Sequence, residues 1–98
     1  MVQPSKFRWL DFEWDGGNLG ELAGHGVKFW ETEECFFNNH RTFRNKKKLG
    51  RAYETFKLEG ITNSGRKLLL IFFIREKTTI RRREGSTALI RIITGWER

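Results

Sequence analysis

The longest unbroken apolar stretch of the chain is residues 68–74, Leu-Leu-Leu-Ile-Phe-Phe-Ile, with Lys67 before it and Arg75 after it. A helix of that length would show polar breaks every three or four residues. The unbroken run therefore predicts a strand covered on both faces. At about 3.3 Å per residue it extends on the order of 25 Å, enough to cross a small domain once. It is too short to span a membrane. The expected role is the central strand of a sheet, with helices on one face.

The other elements are arranged around this strand. Near the start, Phe12 and Trp14 alternate with Asp11 and Glu13, which predicts a half-buried first strand over residues 7–14. Asp15 then suits a helix N-cap, because its carboxylate can accept from backbone N–H groups two and three residues on. The helix after it would bury Leu19, Leu22 and Ala23. It is weak in propensity, since each interior glycine costs about 1 kcal/mol against alanine. One of Gly24 and Gly26 is expected to end it in the left-handed conformation. Residues 27–37 predict a second helix, with Phe29, Glu33, Phe36 and Phe37 as its core stripe and Glu31, Glu33 and Glu34 placed to suit the helix dipole. Residues 41–44 predict a short edge strand, since edges tolerate charge. Residues 53–58 alternate, with Glu54, Phe56 and Leu58 on one face. Thr62-Asn63-Ser64-Gly65 is turn chemistry and predicts a hairpin into the central strand. Residues 75–86 form a charged excursion. Residues 88–94 predict a second long strand, apolar and β-branched apart from Arg91.

The order is strand, helix, helix, then three to four antiparallel strands. That predicts an α+β layer in one domain, 1–98, with both helices on one face of the sheet. The other face would carry Arg91 and whichever of Tyr53, Glu54, Lys57 and Arg66 point the same way. With 38% hydrophobic and 14% aromatic residues, the chain can build a core and is not disordered.

Charge adds a partner class. Residues 1–40 hold seven acids and three bases, whereas residues 41–98 hold sixteen bases and five acids. A basic half of this kind suits a polyanion, or an acidic protein on the same face. The clusters Lys46-Lys47-Lys48 with Arg51, and Arg81-Arg82-Arg83, are read as general phosphate attraction or as solvated loops. A single cysteine, Cys35, rules out an internal disulfide and fits a reducing compartment. With two histidines and one cysteine in no clustered spacing, a structural zinc site is not expected. No cofactor is implied, and the N-terminal residues carry no apolar run of the secretory kind.

The motifs Phe12-Glu13-Trp14-Asp15, Asn18, His25-Gly26-Val27, and Phe29 with acids and then Phe36-Phe37 resemble the first half of BrnT-type toxins. Glu54 with Gly60, Gly65-Arg66 before an apolar strand, and Ile90-Arg91-Ile92-Ile93 resemble the second half in the same order. The resemblance covers about residues 12–95. It implies a RelE-like fold and a small cytoplasmic bacterial endoribonuclease. It also implies a BrnA-like DNA-binding antitoxin as partner, in a hetero-oligomer or with a toxin dimer. The chain differs where the family has Lys before His-Gly (here Gly24), Arg-Tyr after the acid matched by Glu54 (here Thr55-Phe56), and Ser-Ala-Arg after the last strand (here Thr94-Gly95-Trp96).

Metal-free RNA cleavage needs an activated 2′-OH, a stabilised phosphorane and a protonated leaving oxygen. Arginine suits the second task because its fork matches phosphate oxygens in pairs. The expected catalytic set is Arg91, Arg66, Glu54 and His25. Lys57, Lys46, Lys47, Lys48, Arg51, Arg81 and Arg82 would contact RNA. For Arg91 the alternative is an ion pair with Glu54 across the sheet, and for His25 a polar turn residue. The rival to the enzyme is a degenerate module of the same fold that binds antitoxin or RNA without cleaving.

Overall fold

The apolar run does form the middle of a sheet. The computed structural model describes residues 9–45, 54–77 and 87–98. Its elements are β1 (Trp9–Phe12), α1 (Gly16–Gly24), α2 (Phe29–Phe37), β2 (His40–Arg44), β3 (Phe56–Ile61), β4 (Lys67–Lys77) and β5 (Thr87–Glu97). The sheet order is β1-β5-β4-β3-β2. Strands β2 to β5 pair antiparallel, and β1 joins β5 in parallel. This is the expected α+β architecture. Two strands outrun the sequence reading: β4 continues past the apolar run to Lys77, and β5 continues to Glu97. Ladder hydrogen bonds carry both past the point where side-chain patterning fades.

The core lies between the sheet and the two helices. Leu68, Leu70 and Phe72 of β4 meet Phe56 and Leu58 of β3 and Ala88, Ile90 and Ile92 of β5. Leu22, Cys35 and Phe36 cover them from the helices. Burial pushes the Cys35 thiol up to about 11, with the Glu34 and Glu31 charges adding to the effect. The opposite, odd-numbered side of β4 is also apolar, and Ile71 and Phe73 on it are buried.

Both helical stripes differ from the sequence expectation. In α1 only Asn18 and Leu22 are buried, while Leu19 and Ala23 are exposed. The reason is where the helix sits. β1 pairs only with residues 87–90 of β5, so the rest of that edge lacks a strand partner. α1 runs along this edge and does not lie flat across the sheet, so one narrow i, i+4 line is covered. The Asn18 amide donates to Ile92 O (3.1 Å) and Glu13 O (2.9 Å), and Oδ1 accepts from Asp15 N–H (2.9 Å). A side chain thereby satisfies the edge carbonyl that a strand would have taken.

In α2 the buried residues are Glu31, Thr32, Cys35 and Phe36. Phe29 and Phe37 are exposed. They stand at the rim, in edge contact with Trp14 and Phe12 respectively. The helix turns its Glu31 side inward because Arg66 waits there, which makes a charged residue buriable.

Asp15 caps α1 as expected, accepting from Gly17 and Asn18 N–H. Gly26, at φ 72°, ends the helix, and Gly65, at φ 90°, closes the β3–β4 hairpin. Gly60 has a different role. A Cβ there would lie 2.8 Å from Cys35 Cβ and 3.2 Å from Cys35 O, so α2 rests directly on the β3 backbone. Gly60→Ala should lower the unfolding free energy by about 2 kcal/mol through overpacking. A urea titration reads this directly, and an unchanged midpoint would overturn the close approach.

Among the described residues no helix is long and apolar enough to cross a membrane. The expected phosphate-attracting residues Lys46, Lys47, Lys48, Arg51, Arg81 and Arg82, together with Tyr53, lie outside the described residues.

Candidate functional site

Alternation along the long strands decides what faces away from the helices. Leu69, Ile71 and Phe73 of β4 fall on that side, as does Arg91, which pairs with Phe73, and Trp96, which pairs with Leu69. Lys57 of β3 pairs with Ile71 and joins them. Together these residues line a cleft of about 630 Å³. Its floor is apolar: Leu69, Ile71, Phe73 and Ile93. Gly17, Asn18 and Glu21 from α1 form one wall, and Asn45 lines it from beyond β2. The cleft thus exists because α1 rides on the sheet edge and rises beside β5.

The cations on this face are held differently. Arg91, half-buried in β5, donates to both Asp15 oxygens, Nη1 to Oδ2 at 3.0 Å and Nη2 to Oδ1 at 3.2 Å. Its Nη1 also lies 3.4 Å from Glu13 Oε1. The Arg91 bond holds the Asp15 carboxyl below its usual value, and Asp15 in turn raises Arg91. Arg75 reaches the other Glu13 oxygen at 3.2 Å and stacks its guanidinium 5.7 Å from the Phe73 ring centre. Lys57 has no ion-pair partner among the described residues.

At the far end of the cleft, Glu21 Oε2 accepts from the Thr94 hydroxyl at 2.9 Å and lies 3.2 Å from His25 Nε2. The His25 ring is 6.1 Å from that of Trp96. His25 is therefore at the cleft end, but it is tied to a carboxylate on its own helix.

The expected catalytic set is not brought together. Arg91 and Lys57 share the cleft, two strands apart, about 10 Å at the usual strand spacing. Glu54 precedes β3, is exposed, and pairs with Arg44 at 3.3 Å. The expected Arg91–Glu54 pair across the sheet is therefore replaced by Arg91–Asp15. Arg66 is remote from both. It lies just before β4, seven residues from Phe73, the partner of Arg91, or about 23 Å.

Arg66 is also fully engaged. It donates from Nη1 to both Glu31 oxygens (2.8 and 2.9 Å), from Nε to Glu97 (3.1 Å) and from Nη2 to Gly26 O (3.1 Å). Glu31 also accepts from Lys28 N–H at 3.0 Å, capping α2. One arginine thus ties together the α1–α2 turn, the start of α2 and the adjacent ends of β4 and β5. The Glu31 bond raises its pKa further.

No family model matches this sequence, and no curated protein matches it.

Several cleft residues escape a sequence reading. Glu21 and Thr94 of its lining carry no pattern at all; beside it, Glu13 is noticeable only as part of a short motif and Arg75 only as a charge that follows an apolar run. The place of Trp96 in β5 aims a flat apolar ring into the cleft. Among the described residues no three or more His, Cys, Asp or Glu side chains are grouped to hold a metal ion.

Proposed function

We propose that this chain is an RNA-binding module of the BrnT toxin type. It takes a single-stranded segment into the cleft on the helix-free face of the sheet and does not cleave it. A BrnA-like antitoxin is its proposed partner. The observation that carries this reading is the make-up of the cleft. Lys57, with no ion-pair partner among the described residues, stands on one side of an apolar floor that ends at Trp96, and Arg91, already paired with Asp15, on the other; the Lys57 charge beside a stacking ring suits single strands. Arg66 and Glu54, which cleavage was expected to use, are placed elsewhere and bound to other side chains.

The enzyme is the second reading, a metal-free endoribonuclease as the resemblance implies. One arrangement favours it: Glu13, touching both Arg75 and Arg91, offers a carboxylate base beside two phosphate-binding forks.

The test is purified protein with a mixed RNA in EDTA, followed by fluorescence anisotropy and a denaturing gel. We expect retention of intact RNA. Lys57→Ala should weaken binding several-fold and reduce the salt slope by about one. Fragments produced by the parent but lost in Glu13→Gln would replace the binding reading with the enzyme. No retention and no fragments, from folded protein, would overturn both.

A further inference from the structure

We infer that Arg75 and Arg91 form, beside the cleft, a phosphate site that Glu13 occupies in the resting protein, so that the protein's own anion sits in place of the ligand's. The inference rests on the RNA-binding reading only for the identity of the natural ligand. It names where one phosphate group of that ligand sits.

Geometry supports it. Arg75 pairs with Leu89 and Arg91 with Phe73, so the two arginines are diagonal neighbours on adjacent strands. Both side chains reach to the same side, because both touch Glu13. Diagonal neighbours on one face stand close enough for long side chains to meet over a shared group. The Glu13 carboxylate gives one oxygen to each: Oε2 to Arg75 at 3.2 Å and Oε1 to Arg91 at 3.4 Å. A phosphate bridging two guanidiniums would use two oxygens in the same way.

The hold of Glu13 is loose. The Arg91 contact is long for a charge-assisted bond, which is normally about 2.7–2.9 Å. Arg91 is held more closely by Asp15, at 3.0 Å. Asp15 thus fixes the fork, and Glu13 fills the remaining place. The side chains of Glu13 and Arg75 are 31% and 55% exposed, so an incoming anion can reach the pair from solvent.

Charge sets the direction of the effect. Two arginines with Glu13 and Asp15 sum to zero, so the resting cluster attracts no anion at long range. Neutralising Glu13 leaves one net positive charge beside the remaining pair. At an effective surface dielectric that change should tighten a multivalent anion about tenfold.

The experiment compares parent, Glu13→Gln and Glu13→Gln/Arg75→Ala with inorganic pyrophosphate, by calorimetry at low ionic strength. Glutamine keeps the shape of glutamate, and a circular dichroism melt checks the fold of each variant. We expect Glu13→Gln to bind pyrophosphate about tenfold more tightly than the parent, and the added Arg75→Ala to abolish the gain. Equal affinity in parent and Glu13→Gln would overturn the inference, and so would a gain that survives loss of Arg75. The same proteins with a labelled single-stranded RNA judge the functional reading separately. A pyrophosphate gain without RNA binding sustains the site and rejects RNA as its ligand. RNA binding without a pyrophosphate gain does the reverse.

Discussion

Asn18→Asp should cost roughly 4 kcal/mol of folding stability at pH 7, although it exchanges one –NH₂ for one oxygen. Asn18 is 3% exposed, and its amide nitrogen donates to two carbonyls, Glu13 O and Ile92 O. The carboxylate would keep the bond from Asp15 N–H and turn its other oxygen on both carbonyls. Two acceptors would lose their donor, and a charge would be buried against them. Lowering the pH separates this cause from a general loss of packing. An aspartate buried there resists ionisation, so its folded pKa rises above the unfolded value of about 3.9. The penalty is therefore full at neutral pH and shrinks as pH falls through the raised value. It does not vanish, because one O–H can serve only one of the two carbonyls. Urea titrations at pH 7 and 4.5 should show the gap between variant and parent narrowing. The parent's own Asp15 does not confuse the comparison. Its carboxyl is held below the usual range by Arg91, so its contribution persists at pH 4.5 and is lost only at lower pH. A gap that stays constant with pH would show that the Asn18 amide does not cap the β5 edge.

Arg66→Met should lower stability by about 3 kcal/mol while leaving the proposed binding of RNA by folded protein nearly unchanged. Methionine retains much of the apolar stem and removes the fork. Glu31, 9% exposed, would then keep its charge with only the Lys28 N–H as partner. Glu97 and Gly26 O would lose their donor as well. In a domain of this size the expected fall in Tm is on the order of 15 °C. Arg66 lies further from Arg91 than the screening length of about 8 Å at physiological salt, so the proposed RNA binding should change by no more than about threefold. The measurement pairs a thermal melt with RNA anisotropy at a temperature where both proteins are folded. If affinity falls further than in Lys57→Ala while stability holds, Arg66 belongs in the proposed RNA site and its ion pairs are secondary.

These two residues also mark where reading the chain succeeds and fails. Asn18, Arg66 and Arg91 are all noticeable in the sequence, and each proves to be a point of high consequence. What each does is set by partners distant in sequence. Asn18 bonds to Ile92, Arg66 to Glu31, and Arg91 to Asp15. No local pattern encodes those separations. The α2 stripe fails for the same reason. Counting hydrophobicity places Phe29 and Phe37 inside, but the waiting Arg66 makes Glu31 the inward residue and leaves the two rings at the rim.

The sequence by itself determined the element order, the central strand, the Asp15 cap, that α1 ends at Gly24 or Gly26, the hairpin at residues 62–65 and the side of the sheet on which Arg91 lies. Each follows from short-range rules: periodicity, the conformational freedom of glycine, and side-chain oxygens close to backbone donors. Only the tertiary structure decided that β1 is short and parallel to β5, and that α1 fills the edge it leaves. From that follow the cleft wall, the pairing of Arg91 with Asp15 rather than Glu54, and the separation of Arg66 from the cleft. A strand's pattern specifies which residues share a face. It does not specify which neighbouring strand or helix end arrives beside them, because that depends on how the whole chain closes its unpaired edges.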